Sequence, residues 1–178
     1  MKKTIILAAL ALITAVSSAS AFTDITPQQA YDMLRTGEAV MLDVRTPEEW
    51  AWVGHPGPNK LGEGAVIAPY VFNIAYEIEK PGRGYELILN KHFMVDVRKL
   101  DLESDQAIIT ICRSGGRSVN AGLALEANGY TNVYNVVKGF EGGADAKGYR
   151  TKAEGWKNLG FPYEYGFVGN IDGHVPGN

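Results

Sequence analysis

The sequence predicts an α/β fold in which helices cover both faces of a parallel sheet. Residues 39–44 and 106–111 form short, largely apolar segments that are typical of strands buried on both sides. Segments with helix-start signals alternate with these strands, and such alternation favours parallel strands joined by helices. With 178 residues, the chain is long enough for one such domain and too short for two full enzymatic lobes.

The composition excludes several classes of protein. Hydrophobic residues make up 46% and charged residues 21%, which supports a packed core and excludes wholesale disorder. The net charge of −3 argues against a nucleic-acid partner, which normally leaves an excess of basic residues. The single cysteine excludes an intramolecular disulfide, an iron–sulfur cluster and a cysteine-rich zinc site, and the three histidines have no metal-ligand spacing. We therefore expect no metal site.

The first 21 residues have the pattern of a secretory signal peptide. Lys2 and Lys3 supply a basic start, residues 5–16 are apolar, and residues 19–21 fit the motif that signal peptidase cleaves after. The apolar segment is shorter than the roughly 20 residues that span a bilayer, and no other segment approaches that length. We therefore expect residues 1–21 to be removed on export to a bacterial periplasm, leaving no membrane span; an uncleaved membrane anchor is the alternative.

Two helices are predicted near the start of the mature chain. Thr26 and Thr46 are each followed by a proline, and a capping threonine with proline at the first helical position is a strong helix start. The first helix continues over residues 28–34 and ends at Gly37. The second has acidic residues in its first turn, where the helix dipole favours negative charge.

The middle of the chain has the least regular pattern. Residues 54–64 are rich in turn formers, and residues 65–68 fit a short strand. Residues 70–80 and 85–100 are predicted to be helical or mixed, divided by a turn at residues 81–84.

Regular elements return after the second buried strand. A helix is predicted over residues 118–128 and is closed by Gly129, a natural glycine after a helix end. A third strand covers residues 133–137, and a turn follows at residues 139–143. A closing segment around Trp156 is expected to pack over the sheet. No internal repeat or linker divides this part of the chain, and the sequence indicates no particular oligomeric state.

The loop between the second buried strand and the following helix carries the candidate active site. In an open parallel sheet, ligands bind beyond the carboxyl ends of the strands, where this loop lies. Its two glycines let backbone N–H groups turn inward as an anion-binding nest, and the helix N-terminus adds free donors. Its two arginines add positive charge, so the loop favours a cysteine thiolate that attacks an anionic substrate. The predicted nucleophile is Cys112, and the predicted substrate-binding residues of the loop are Arg113, Ser114, Gly115, Gly116, Arg117 and Ser118.

Residues 112–118 (CRSGGRS) resemble the active-site loop of rhodanese-like sulfurtransferases. Three further segments resemble motifs of that family and follow in its order. Residues 42–50 (LDVRTPEEW) resemble its D-V-R-x-x-x-E-aromatic motif, and His55 with residues 64–69 resembles a stretched form of its H-I-x-G-A-x-N-I-P motif. The L-x-G-G…W…G-x-P ending of the family is matched by residues 133–143, Trp156 and residues 160–162. The resemblance extends from about Thr23 to Glu164.

The resemblance implies a single rhodanese-like domain over residues 22–165. Its expected core is a mostly parallel sheet of about five strands with helices on both faces. Residues 53–92 are expanded relative to the family, and we expect the inserted segments to border the mouth of the active site. Residues 166–178 form a glycine-rich C-terminal tail.

The resemblance also implies a chemical mechanism that requires no metal and no organic cofactor. The thiolate of Cys112 would attack the outer sulfur of thiosulfate or a polysulfide and carry that sulfur as a persulfide. A thiophilic acceptor, which is cyanide, a small thiol or a protein thiol, would then remove it. Arg113 and Arg117 would attract the anionic donor. The alternative is a rhodanese-like module that carries or binds sulfur without catalysis, or only when docked to a partner.

Arg45 has two candidate roles. In a structural role it pairs with Glu48 or Glu49 and holds the end of its strand. In a functional role it projects into the pocket and contacts an extended anionic substrate, so we include it among the candidate substrate-binding residues.

Two other enzyme classes use a cysteine in a comparable loop. Dual-specificity phosphatases need an arginine six positions after the cysteine, but Ser118 holds that position and Arg117 comes one residue early. A Cys–His hydrolase would need the fold to bring His55 or His92 close to Cys112. A buried, inert cysteine before an ordinary turn is the structural alternative, and it does not account for the adjacent glycines and arginines.

Overall fold

The computed structural model describes four stretches of the chain: residues 22–57, 71–80, 86–152 and 154–166. Several predicted features lie outside them: the signal peptide at 1–21, the strand at 65–68, the turn at 81–84 and the tail beyond residue 166. In chain order the elements are β1 (Thr23–Ile25), α1 (Pro27–Thr36), β2 (Ala39–Asp43), α2 (Pro47–Trp52), β3 (His55–Pro56), β4 (Val71–Asn73), β5 (Glu77–Lys80), β6 (Glu86–Leu89), α3 (Phe93–Arg98), β7 (Ala107–Ile111), α4 (Gly116–Ala127), β8 (Val133–Val136) and β9 (Tyr163–Glu164).

Five parallel strands form the central sheet in the order β1-β8-β7-β2-β4. One row of register partners crosses the whole sheet and consists of Thr23, Tyr134, Ile109, Met41 and Val71. Sequence-distant strands lie side by side, since β7 and β8 separate β1 from β2. The prediction of an α/β fold around a five-stranded parallel sheet is confirmed.

Two hydrophobic cores lie on opposite faces of this sheet. Successive strand side chains point to opposite faces, so Met41 packs with Leu34 of α1 while Leu42 packs with Leu125 of α4. Helix α3 joins the second core through Phe93. Helices therefore cover both faces, as the sequence predicts.

Threonine caps begin the first two helices. Thr26 and Thr46 each accept a hydrogen bond from the backbone N–H three residues later, and the Gln29 and Glu49 side-chain oxygens accept one from the cap N–H. These reciprocal bonds satisfy donors that a helix start otherwise leaves free. Both predicted helix starts are confirmed, and Gly37 ends α1 with a left-handed φ of 77°.

The middle of the chain contains more strand than expected. Residues 71–80 and 86–89 hold β4, β5 and β6, and the only helix described between residues 71 and 100 is the six-residue α3. β5 and β6 form an antiparallel pair in which Glu77 is opposite Leu89. Segments of four residues are too short for a reliable period, so the pairing of β5 with β6 decides their conformation. Strands β1, β3 and β9 have two or three residues and were missed for the same reason.

Within the stretches that the structure describes, no helix is long and apolar enough to cross a membrane.

Candidate active site

The loop with the single cysteine lies at the carboxyl end of β7, in the middle of the sheet. Helix α4 begins at Gly116, two residues earlier than predicted. Gly115 occupies the N-cap with φ of 106°, a left-handed conformation that glycine adopts at little cost. This conformation lets the chain reverse within the loop and turns the Gly115 N–H back towards Cys112.

Cys112 is buried where the loop meets the second hydrophobic core. Cys112 is only 1% exposed, and it is a free cysteine. Its Sγ accepts a hydrogen bond from Gly115 N–H at 3.2 Å, and the Ser118 hydroxyl lies 3.3 Å away. One loop amide thus faces the sulfur, which is the arrangement that stabilises a negative charge on it. Arg113, Ser114 and Gly116 are exposed and form the outer surface of the loop.

The two loop arginines differ in their surroundings. Arg113 is exposed, whereas Arg117 donates two hydrogen bonds of 2.7 Å to the carboxylate of Glu49. Burial lowers the pKa of Arg117, but the hydrogen bonds and charge of Glu49 raise it more, and the nearby Cys112 thiolate adds to the rise. Arg117 therefore stays charged while its planar fork is taken by a carboxylate.

Glu49 connects the loop to helix α2. Burial raises the pKa of Glu49, yet the hydrogen bonds and charge of Arg117 and the Thr46 backbone N–H hold it below its ordinary value. The same carboxylate accepts the capping hydrogen bond at the start of α2 and forms the ion pair with Arg117. The sequence analysis did not identify Glu49 as part of the site, although the family motif quoted above contains it.

Arg45 is fully buried at the end of β2. It forms an ion pair with Asp43, donates to Gly54 O at 2.6 Å and stacks on the Phe140 ring at 4.0 Å. The predicted structural partner was therefore wrong: Arg45 pairs with Asp43 because Arg117 and the α2 cap occupy the Glu49 carboxylate. Contact with substrate stays a prediction, and it would use Nη1, a buried guanidinium nitrogen without a hydrogen-bond partner.

The turn after β8 supports the loop from beneath. Phe140 N–H donates to Cys112 O at 2.7 Å, and Glu141 N–H donates to Arg113 O at 2.9 Å. The approach is close, since a Cβ on Gly139 would lie 2.3 Å from Cys112 O. The sequence predicts the turn itself, but nothing in the sequence indicates its contact with the loop.

A chain of polar side chains continues from the sulfur to the edge of the sheet. The Ser118 hydroxyl lies 2.6 Å from Asn135 Oδ1, and Asn135 Nδ2 donates to Asp24 Oδ1 at 2.7 Å. Neither Asn135 nor Asp24 was predicted to belong to the site. Asn135 is a polar residue inside the buried strand β8, and that is the signal by which the sequence could have indicated it. No comparable signal marks Asp24.

A histidine base is not paired with the sulfur in the described part of the chain. The Nδ1 of His55 faces Pro56 O at 2.9 Å, and its Nε2 is buried without a hydrogen-bond partner. Among those residues, no group of three histidine, cysteine, aspartate or glutamate side chains is placed to hold a metal ion. The chemistry of the site therefore centres on the cysteine, one amide, one hydroxyl and two guanidinium groups.

Comparisons with known proteins agree with this geometry. A family model described as "Rhodanese-like domain" matches residues 26–146. The chain is 36% identical over 124 residues to thiosulfate sulfurtransferase 16, chloroplastic, of Arabidopsis thaliana, covering 70% of this chain and 88% of the relative. It is 32% identical over 139 residues to the uncharacterised protein RP600 of Rickettsia prowazekii, covering 77% and 93%. The crystal structure of Rv0390 from M. tuberculosis superposes with a TM-score of 0.64 at 36% identity, covering 81% of this chain and 98% of the other.

These matches confirm the resemblance drawn from the motifs, and they extend over most of the chain. The relatives named as sulfurtransferases support a sulfurtransferase-type function in general. The substrates that these names mention are those of the relatives.

Gly139→Ala tests the contact between the turn and the loop. The added Cβ would overlap Cys112 O at 2.3 Å, and the φ of 55° is unfavourable for alanine. We expect the free energy of unfolding to fall by about 3 kcal/mol or more, measured by chemical denaturation. Gly160→Ala is the matched control, because Gly160 has a φ of 81° with nothing within 4 Å of its Cβ position. Equal losses of unfolding free energy in Gly139→Ala and Gly160→Ala would show that the contact between the turn and the loop does not stabilise the fold.

Glu49→Gln tests the ion pair with Arg117. Because the folded-state pKa of Glu49 lies below its ordinary value of 4.5, the ionised group stabilises the fold above that value. This stabilisation disappears as pH falls through the lowered pKa. We expect the substitution to cost about 2 kcal/mol in unfolding free energy at neutral pH and progressively less in acid, as the pH falls through the lowered pKa.

The control for this variant is Glu48→Gln, which removes an exposed carboxylate from the same helical turn. We expect it to change stability by less than about 0.5 kcal/mol at either pH. A cost for Glu49→Gln that does not depend on pH would contradict the assignment of the pair as a charge-dependent contact.

Proposed function

The chain belongs to the rhodanese-like domain family, and we propose that it transfers a sulfane sulfur from thiosulfate or a polysulfide through a persulfide on Cys112. The observation that carries the proposal is the Gly115 N–H, which donates to Cys112 Sγ at the carboxyl end of the central strand β7. An amide directed at the sulfur stabilises the thiolate before attack and the outer sulfur anion after it.

The burial of Cys112 supports a slender donor. With 1% of the residue exposed, the loop has to open least for a donor that presents a single terminal atom to Sγ. The outer sulfur of thiosulfate and the terminal sulfur of a polysulfide are single atoms at the end of an anion. A bulky disulfide would have to displace the loop, so it fits this site less well.

Arg113 is proposed as the guanidinium that receives the donor. It is exposed and adjacent to Cys112, whereas Arg117 is already held by two bonds to Glu49. Arg117 would then supply a fixed positive charge near the sulfur, and Ser114, Gly116 and the loop backbone would line the path of the anion. The family resemblance implies the same role for both arginines, whereas this assignment gives them different roles.

The proposed reaction has two displacements. The Cys112 thiolate attacks the outer sulfur of thiosulfate, a new S–S bond forms, and the original S–S bond breaks so that sulfite leaves with its electron pair. A nucleophilic acceptor such as cyanide or a thiolate then attacks the outer sulfur of the persulfide. That step releases thiocyanate or a new persulfide and restores the Cys112 thiolate.

A second candidate function is a sulfur carrier that works only when docked to a partner, or a module without catalysis. The same 1% exposure of Cys112 favours this alternative, because docking could open the loop. The two candidates share the persulfide and differ in whether the isolated protein turns over with small molecules.

The proposal also places the protein in a bacterial periplasm. Its support is the sequence of residues 1–21, with a basic start, an apolar segment and a cleavage motif. Export would leave Phe22 as the first residue, immediately before β1.

Turnover of thiosulfate with cyanide tests the enzyme proposal. We expect thiocyanate production by the wild-type protein and a loss of at least about 100-fold in both Cys112→Ser and Cys112→Ala, because no other thiol can carry the sulfur. Thermal unfolding of each variant checks that the fold is retained. Equal turnover in wild type and variants would contradict the role of Cys112, and no turnover in any of them would favour the carrier.

A further inference from the structure

The Ser118 hydroxyl has a single hydrogen and three acceptors within reach. Asn135 Oδ1 lies 2.6 Å from Oγ, Gly115 O lies 2.9 Å away, and Cys112 Sγ lies 3.3 Å away. Ser118 is fully buried and Asn135 is 3% exposed, so the choice lies among these protein atoms. The shortest contact is to Asn135, which favours the hydrogen pointing away from the sulfur.

Asp24 sets the orientation of the Asn135 amide. Its carboxylate accepts from Asn135 Nδ2 at 2.7 Å, and an ionised carboxylate cannot donate. The nitrogen of the amide must therefore face Asp24, and the oxygen must face Ser118. Strand pairing maintains this contact, since Asp24 and Asn135 are register partners of β1 and β8.

The backbone of Ser118 is held separately. Ser118 lies in the first turn of α4, and its carbonyl oxygen is 3.1 Å from Thr110 Oγ1, whose hydroxyl also has Tyr134 O as an acceptor at 3.0 Å. Changing Asp24 or the Asn135 amide therefore redirects the hydroxyl hydrogen without removing the support of the α4 backbone.

We infer that Asp24 and Asn135 are positioning residues that hold the Ser118 hydroxyl hydrogen away from Cys112 Sγ. The thiolate then keeps the Gly115 N–H as its donor and gains none from Ser118. Each hydrogen bond to a thiolate must weaken as the sulfur attacks, so a thiolate with fewer donors is the stronger nucleophile. The inference rests on the proposed function only in taking Cys112 as the nucleophile.

The substitution Asp24→Lys tests this inference by changing an exposed residue of β1, an edge strand of the sheet. Lysine can only donate, so it requires the Asn135 oxygen to turn towards residue 24 and the amide nitrogen towards Ser118. The Ser118 hydrogen then has Gly115 O and Cys112 Sγ as its remaining acceptors, and the negative charge of the thiolate favours Sγ. We expect iodoacetamide to alkylate Cys112 about fivefold more slowly, at a pH where the thiol is fully ionised, as the gain of one hydrogen bond predicts.

Two controls separate orientation from charge. Asp105→Lys makes the same change of charge at another exposed aspartate, and we expect the wild-type rate. In a Ser118→Ala background, Asp24→Lys should have no effect on the rate, because the hydroxyl through which it acts is absent. If Asp24→Lys folds poorly, Asp24→Arg replaces it in the test. Arginine also only donates, so we expect the same slowing of alkylation.

Equal alkylation rates in wild type, Asp24→Lys and Asp24→Arg would overturn the inference, as would equal slowing with and without the Ser118 hydroxyl. Iodoacetamide needs no sulfur donor. Failure of the proposed sulfur transfer would therefore leave this result standing, and failure of the inference would leave the transfer standing.

Discussion

Two backbone hydrogen bonds hold the nucleophile loop in place, and the rest of the site depends on them. Phe140 and Glu141 donate to the carbonyl groups of Cys112 and Arg113, so both carbonyls point into the turn after β8. With these oxygens directed away, the chain turns at Gly115 and its N–H faces the sulfur. The turn is itself stabilised by the segment around Trp156, because Trp156 N–H donates to Gly139 O at 2.9 Å and the indole is buried.

Charge is distributed around the loop in a way that leaves one guanidinium free. Arg45 is buried against Asp43, and Arg117 is held by Glu49, so both support the framework. Arg113 alone among the three is exposed. A site that neutralised all its arginines would lose attraction for an anion, and one that freed all three would leave charges unpaired in the interior. The observed division pairs two guanidinium groups within the framework and leaves exposed the one that we propose as the anion receptor.

Local sequence patterns predicted the parts of the structure that depend on near neighbours. The buried strands β2 and β7, the caps at Thr26 and Thr46, and the glycine-containing loop after β7 each have a signal within a few residues. The contacts that complete the site join distant positions: Glu49 is 68 residues from Arg117, and Asp24 is 111 residues from Asn135. Strand order creates these contacts, and no local pattern encodes strand order.

We propose a persulfide on Cys112 as the intermediate, and the mass of the intact protein after incubation with polysulfide tests that proposal directly. We expect a protein heavier by one or more sulfur atoms, with the added mass on the peptide that contains Cys112 and its loss on treatment with cyanide. An unchanged mass, or the same added mass in Cys112→Ser, would contradict it.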